Sequence, residues 1–427
     1  MSDKIVIDTN LFLDDANIIF KLSKQYDKIV IPITVLTELD NHKYNPDLSY
    51  SARNAIYSIL QFSNEYPDKL VFDGDEDALS LNDRRILKSA KEVSSDLATK
   101  DISMYIVSKA KGIETKLYDV VMNGIFHPYK EIDINKVADV FTFKQDYIDE
   151  DYENILSKLE SMHEDIFPQD AWFFIFMMQE GRAVYIYANN PLKHSLERID
   201  NKPKYRELGV SQHSTLKALD EYQVCALYAL HEAPNVVLTG KWGSGKTLIG
   251  TAYALSKSDR KIFITRPPIG INHKYDIGYM PGDKDEKMLG WFAGFLSALY
   301  YLYANTRGQI NYDHIKEHIF KDKFETIPIN AIQGMSLLEG DVFIADEVQL
   351  IDIDYLSMVL SRASKGSKLI LLGDLQQTYG VVRPSESGLL KLLRSLPHRS
   401  IAYVELKNSH RSELLEIADK LQDKTIM

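Results

Sequence analysis

The sequence predicts an α/β protein with two parallel-sheet domains joined by a connector, on three observations. Short apolar runs alternate with helical patterns from residue 1 to about 124; the same rhythm returns from about 205; and a glycine-rich phosphate loop sits where one later run meets a helix. Parallel strands need a crossover connection, usually a helix, so this alternation places each sheet beneath helices.

In the first region Lys4–Ile7 and Lys28–Ile33 read as buried strands, and Leu70–Phe72 and Leu117–Tyr118 as weaker ones. Ser49–Asn64, Asn82–Val93 and Ile102–Lys111 carry apolar residues at helical spacing. From about 125 to 170 acidic residues crowd together, as in Tyr147-Ile148-Asp149-Glu150-Asp151-Tyr152-Glu153, the pattern of a solvated connector. From Ala171 to Ala188 two β-rich runs flank Gln179-Glu180-Gly181-Arg182, a hairpin signal. Further on, Asn235–Leu238, Lys261–Thr265, Val342–Ala345 and Leu369–Leu372 are continuous apolar runs of buried-strand type. The expected domains are therefore 1–124, 125–204 (a connector with a small β-rich unit) and 205–427.

Composition narrows the function classes. The 427 residues carry a formal net charge of -11, so contact with a polyanion requires a local basic groove. The single cysteine, Cys225, rules out an intramolecular disulfide and argues against a cysteine metal site. The run Ile5–Ile7 stops at Asp8, too short for a signal core, and the longest apolar stretch, Ala171–Met178, is far below the roughly 20 residues of a membrane span. No export and no membrane span are expected, and the location expected is cytoplasmic.

Gly240-Lys241-Trp242-Gly243-Ser244-Gly245-Lys246-Thr247 fits G-x-x-x-x-G-K-[ST], between the strand Val236–Leu238 and the helical run Leu248–Leu255. Gly240, Gly243, Ser244 and Gly245 let backbone N–H groups turn around a phosphate at a helix N-terminus. Lys246 can neutralise β/γ-phosphate oxygens and Thr247 can hold Mg²⁺, so the expected cofactors are ATP with Mg²⁺ or Mn²⁺. Asp346 and Glu347 follow the strand Val342–Ala345. Asp346 is the candidate metal ligand and Glu347 the candidate base for the attacking water, though a strand-end Asp-Glu also suits a helix cap. Gly373-Asp374-Leu375-Gln376-Gln377 follows the next strand, where Gln377 could sense the γ-phosphate.

Four further carboxylates, Asp8, Glu38, Asp83 and Asp101, fall where strands end or helices begin. A parallel sheet brings such positions to one edge, and converging carboxylates favour a hard divalent cation, Mg²⁺ or Mn²⁺. Metal held there can activate water and stabilise the leaving oxygen of a phosphodiester, with Asn10 and Thr99 as orienting neighbours. Capping is the competing role for Asp8, Asp83 and Asp101.

Residues 205 to about 420 resemble the PhoH family, within motifs shared with superfamily 1 helicases. The resemblance rests on the phosphate loop, Ile264-Thr265-Arg266-Pro267, Ile277-Gly278-Tyr279-Met280-Pro281-Gly282-Asp283 with Glu286-Lys287, Asp346-Glu347-Val348-Gln349, the Gly373–Gln377 box and Ser409-His410-Arg411-Ser412. It implies that Gln223 reads adenine and that Arg362 or Arg411 reaches phosphate, including from a neighbouring subunit of a homo-oligomeric ring, a hexamer. Residues 1 to about 124 resemble the PIN nuclease domain, through Asp8-Thr9-Asn10, Leu36-Thr37-Glu38-Leu39, Asn82-Asp83-Arg84-Arg85-Ile86-Leu87 and Leu97-Ala98-Thr99-Lys100-Asp101-Ile102-Ser103. PIN domains are metal-dependent ribonucleases, and PIN joined to PhoH implies ATP-driven RNA unwinding and cleavage.

The expected function is thus an ATP-dependent RNA helicase or translocase coupled to a metal-dependent endoribonuclease on single-stranded RNA, with DNA kept open as a substrate. An ATP-driven RNA-binding switch without nuclease activity and a nucleotide-sensing scaffold are the alternatives. Lys241, Lys246, Lys257, Arg260, Lys261, Arg266 and Lys274, opposed only by Asp259, could line a strand channel with His273, Tyr275 and Tyr279, or form a solvated cluster. Trp242 could stack on a base or cover a core. The aromatic run Trp291–Tyr303 reads as core or subunit interface.

Overall fold

The computed structural model describes residues 3–42, 48–73, 82–99, 104–105, 108–109, 111–117, 125–136, 146–149, 152–162, 168–211, 214–257, 261–267, 292–304, 312–375, 377 and 386–410. The fold is α/β, and the chain divides into two compact units, Met1–Gly124 with Arg383–Glu386, and Ile125–Val382 with Ser387–Met427.

The first unit is a five-stranded, all-parallel sheet of β1 (Lys4–Ile7), β2 (Lys28–Pro32), β3 (Leu70–Asp73), β4 (Asp96–Thr99) and β5 (Thr115–Leu117), in the order β3-β2-β1-β4-β5. Ile5, Val6 and Ile7 of β1 are buried, as a central strand covered on both faces requires. Helices Ile33–His42, Ser49–Glu65 and Asn82–Glu92 supply the cover. The apolar run predicts the second strand through Ile33; in the structure it ends at Pro32, which has no N–H to extend the ladder, and Ile33 opens a helix. β4 was missed because its core-facing Leu97 and Ala98 sit between Asp96 and Thr99, which break the apolar run.

The second unit contains two larger sheets and a hairpin. A five-stranded sheet, β6-β8-β9-β10-β7, uses β6 (Tyr129–Asp133), β7 (Tyr147–Ile148), β8 (Phe174–Gln179), β9 (Arg182–Asn190) and β10 (Ser195–Arg198). The turn between β8 and β9 is Glu180-Gly181, with φ of 49° and 76°. Two consecutive positive φ values match the twist of a tight hairpin, and Gly181 adopts its value without a Cβ clash. The acid-rich stretch read as a solvated connector differs in the structure. Within it Ile148, Tyr152, Ile155, Leu156 and Leu159 are buried in one cluster with Phe173, Ile175 and Tyr187. The helix Tyr152–Met162 keeps its acids outside and one apolar face inside.

β11 (Glu207–Ser211) and β12 (Ser214–Lys217) form the small hairpin. The largest sheet is all parallel, in the order β15-β14-β16-β17-β13-β18. It comprises β13 (Asn235–Gly240), β14 (Ile262–Thr265), β15 (Phe324–Thr326), β16 (Val342–Ala345), β17 (Lys368–Gly373) and β18 (Ile401–Leu406). Val236, Val237 and Leu238 of β13 have no exposed surface, and each such side chain contributes about 1.5–3 kcal/mol by leaving water. Helices Glu221–Glu232 and Lys246–Lys257 pack on this sheet. Among the described residues no helix is long and apolar enough to cross a membrane.

β13 can end only on glycine. Gly240 has φ 149°, and a Cβ there would lie 2.5 Å from the Leu406 backbone oxygen on β18. Gly240→Ala is therefore expected to cost about 3 kcal/mol of stability, from backbone strain plus overpacking. Urea unfolding checks this; an unchanged midpoint would contradict the close approach.

Candidate functional site

The phosphate loop hangs between β13 and the helix Lys246–Lys257. Gly243 and Gly245 turn it with φ of 76° and 95°. Lys246 folds back, its ammonium donating to the carbonyls of Gly240 and, at 3.0 Å, Lys241. The Ser244 hydroxyl is buried with no hydrogen-bond partner among the described residues. A buried hydroxyl normally has a partner, so this one is a vacant donor or acceptor at the place where the motif takes phosphate.

Two polar contacts hold the loop from outside. The Ser409 hydroxyl donates to the Trp242 carbonyl at 2.9 Å, and the His410 N–H to the Gly243 carbonyl at 3.0 Å. His410 Nε2 lies 2.7 Å from Asp220 Oδ2. Asp220 caps the helix Glu221–Glu232 by accepting from the Gln223 N–H at 2.7 Å. The Gln223 side chain accepts from the Leu219 N–H at 2.9 Å and donates to the Ser244 carbonyl at 3.1 Å. Gln223 thus ties the helix start to the loop and retains one N–H and one lone pair for a ligand.

The carboxylates come from the neighbouring strands. The Asp346 N–H donates to the Thr265 carbonyl at 2.9 Å, pinning the end of β16 to the end of β14. Burial, then the adjacent Glu347, pushes the Asp346 carboxyl up to about 6, opposed by Arg266 and Lys246. A buried carboxyl so placed favours a cation beside it. Glu347 is held at φ 55°, a left-handed conformation that costs a non-glycine residue about 1–3 kcal/mol. Its side chain makes no capping bond. It accepts from Arg266 Nη2 at 3.1 Å and from Gln349 Nε2 at 2.5 Å. The other end of the Gln349 amide accepts from the Asp374 N–H at 3.0 Å, and Gln377 Nε2 donates to the Asp374 carboxylate. One buried glutamine therefore joins the Asp-Glu-x-Gln box to the Gly-Asp-x-Gln-Gln box.

These groups face a pocket of about 560 Å³. Its lining includes Lys246, Thr247, Asp346, Glu347, Asp374, Gln377, Arg266 and Gln223, together with the apolar Leu216, Leu219, Ile249, Ala298 and the ring of Tyr301. Hard oxygen donors, a lysine, a glycine-lined loop and apolar side chains are the lining a nucleoside triphosphate with a divalent cation needs. Gly240 starts the loop but does not line the pocket. Arg362 lies elsewhere: its guanidinium donates to the carbonyls of Gln333 at 2.9 Å and Met335 at 3.0 Å. Arg411, Gln376, Arg260, Lys274, His273, Tyr275 and Tyr279 lie outside the described residues. Sequence reasoning passed over Tyr301, which is 54% exposed and lines the pocket while Phe292, Phe295 and Leu299 of the same aromatic run are buried. The signal was the helical spacing of Gly294, Ser297, Ala298 and Tyr301, all of which line the pocket.

In the first unit Asp8 follows β1 and is 1% exposed. It occupies a helix N-cap position, yet its side chain makes no capping bond and instead accepts from the Thr99 hydroxyl at 3.1 Å. Glu38 accepts from the Thr9 hydroxyl. The Asp83 backbone lies in the helix Asn82–Glu92; its side chain and all of Asp101 lie outside the described residues. Among the described residues, which include the side chains of only Asp8 and Glu38 of the four, no group of three His, Cys, Asp or Glu could hold a metal ion.

Residues 5–119 match the family described as PIN domain, and residues 215–421 match PhoH-like protein. Protein PhoH2 of Bacillus subtilis (strain 168) is 26% identical over 469 residues, covering 99% of this chain and 100% of its own. Protein PhoH2 of Mycolicibacterium smegmatis is 23% identical over 458 residues, covering 97% and 96%. Among solved structures, the Pif1 helicase from Candida albicans is 19% identical, covering 49% of this chain and 45% of that one, with a TM-score of 0.27.

Gln349→Leu keeps the volume but leaves the buried Asp374 N–H unpaired. It is expected to cost about 1–3 kcal/mol in urea unfolding. The same variant tests the link between the boxes: stability equal to wild type would show that the glutamine joins nothing.

Proposed function

We propose that this chain, which joins a PIN domain to a PhoH-like domain, is an ATP-dependent helicase or translocase on single-stranded RNA coupled to a metal-dependent endoribonuclease. The observation that carries the first half is the single pocket holding Lys246, Thr247, Asp346 and Glu347 together with Asp374 and Gln377. Lys246 neutralises the β/γ-phosphates, Thr247 and Asp346 hold Mg²⁺ or Mn²⁺, and Glu347 takes the proton of the attacking water. When bound, the cation would supply neutralisation of phosphate charge. Gln377, bonded to Asp374, reports the γ-phosphate, and Gln223 offers its remaining amide valences to adenine. Arg411 or Arg362 completes the site from a neighbouring subunit in a hexameric ring, as one side of a head-to-tail interface permits. Lys241 and Lys261 supply backbone contacts along the strand path. The domain division taken is 1–124, 125–204 and 205–427, and the setting is cytoplasmic.

The support for the second half is Asp8, a buried carboxylate oriented by Thr99 rather than used as a cap, with Glu38 oriented by Thr9. Asp8, Glu38, Asp83 and Asp101 would hold Mg²⁺ or Mn²⁺, which would supply activation of the attacking water at the scissile phosphodiester. A motor whose PIN half only binds RNA is the reading that the second test below separates.

Lys246→Ala is expected to lower ATP hydrolysis at least about 100-fold with unfolding unchanged, since it removes phosphate charge and no core. Glu347→Gln should retain ATP binding and hydrolyse slowly; steady-state rates with nucleotide titrations check both. Turnover at the wild-type rate in Lys246→Ala would refute the phosphate-loop assignment.

Asp8→Asn and Asp101→Asn should abolish cleavage of labelled single-stranded RNA in Mg²⁺ or Mn²⁺, while ATP hydrolysis continues. Asparagine caps about as well as aspartate, so a capping role predicts intact cleavage. Wild-type cleavage by both variants makes the PIN half a binding module.

A further inference from the structure

Two large apolar side chains line the nucleotide pocket and yet stand in water: Leu219 is 62% exposed and Tyr301 54%. Among the described residues Tyr301 makes no hydrogen bond and no ring contact. An uncovered aromatic ring inside a concave site is surface that a ligand can cover.

The helix Ala293–Ala304 sets where that ring stands. Its pocket face begins at Gly294, where a Cβ would lie 3.9 Å from Thr247 Cγ2 and 4.0 Å from Arg266 Nη1. Ser297, Ala298 and Tyr301 continue the same face at three- and four-residue spacing. Tyr301 is thus two turns, about 10 Å along the axis, from the residue beside Thr247. Thr247 marks the phosphate end of the pocket, and a ribose lies between the phosphates and the base of a nucleotide. The facing wall comes from the β11–β12 hairpin. The Ser214 hydroxyl, at the start of β12, donates to the carbonyl of Leu302, the neighbour of Tyr301. The chain then passes Leu216 and reaches Leu219, whose N–H donates to Gln223 Oε1 at 2.9 Å. A short run of chain therefore connects the turn that carries Tyr301 with the amide that holds the phosphate loop through the Ser244 carbonyl.

We propose that Tyr301 binds the nucleobase, its ring stacking on the base of a nucleotide whose phosphates lie at Lys246 and Thr247. This rests on the ATPase reading above and adds a specificity-determining residue to it. A tyrosine ring offers a π-face at small entropic cost, having two side-chain torsions to fix. Stacking accepts every base, so Tyr301 favours nucleotides over bare polyphosphate and leaves the choice among bases to hydrogen-bonding groups such as Gln223.

The test is calorimetric titration of the full chain in Mg²⁺ with ADP, and with pyrophosphate by competition against ADP. The variants are Tyr301→Ala, Tyr301→Phe, Tyr300→Ala and Lys246→Ala, each checked for wild-type thermal unfolding. Tyr301→Ala is expected to weaken ADP about tenfold, the loss of one base–aromatic stack, and to keep its pyrophosphate affinity. Tyr301→Phe should bind ADP as wild type does. Tyr300, 45% exposed on the same helix but outside the pocket lining, is the control, and Tyr300→Ala should change neither affinity. An unchanged ADP affinity in Tyr301→Ala overturns the proposal, leaving the ring to a partner surface. An equal loss for pyrophosphate, or a loss shared by Tyr300→Ala, overturns it as a disturbance of the helix, and an equal loss in Tyr301→Phe assigns the effect to the hydroxyl. Lys246→Ala weakening both ligands beside an unaffected Tyr301→Ala removes the stack alone. Lys246→Ala binding both as wild type does, or pyrophosphate failing to displace ADP from wild type, removes the phosphate-loop reading and the stack with it.

Discussion

Parallel pairing in register is the constraint from which the pocket follows. Thr239 of β13 pairs with Gly373 of β17, and Thr265 of β14 pairs with Ala345 of β16. The next residue on each strand is Gly240, Asp374, Arg266 and Asp346. Four strands of one sheet therefore release their chains at one edge, and each release point is a residue of the site or the start of its loop. Because side chains alternate faces along a strand, a slip of one residue on β16 would turn Asp346 into the core and Ala345 toward the pocket. The runs of buried aliphatics behind that edge make such a slip costly, so core packing holds the register that places these residues.

The polar contacts then act on an edge already aligned. Asp346 is bonded through its backbone to β14, Glu347 to Arg266 and Gln349, and Gln349 onward to the end of β17. Burying several carboxylates in an acidic chain is unfavourable unless cations or donors answer them. Here Lys246 and Arg266 both oppose the upward shift of Asp346, yet burial still wins.

Much of this was legible in the sequence, and the failures have physical reasons. The phosphate loop was readable because its glycines serve backbone angles that other residues adopt only under strain, and Gly240, Gly243 and Gly245 all carry positive φ. Buried strands on both faces announce themselves as aliphatic runs, so β13, β14, β16 and β17 were found. β15, with only Phe324 buried among Glu325 and Thr326, and β18, where Tyr403 and Glu405 interrupt the run, were not. Helix faces inside acidic sequence were hidden for a similar reason: Tyr152, Ile155, Leu156 and Leu159 form a stripe only once the helical period is imposed on a stretch dominated by charge. What one sequence could not give is pairing between side chains far apart along it. Arg266 and Glu347 were each visible in a motif, but nothing local said that they touch.

The first unit repeats the strand-end principle with different partners. Ile7 of β1 pairs with Ala98 of β4, so the residues that follow, Asp8 and Thr99, meet, and the hydroxyl of one donates to the carboxylate of the other. In the order β3-β2-β1-β4-β5, β1 is where successive crossovers reverse direction, the point at which a parallel sheet opens a crevice for ligands. Asp8 is thus buried at that reversal point, where the Thr99 hydroxyl donates to its carboxylate.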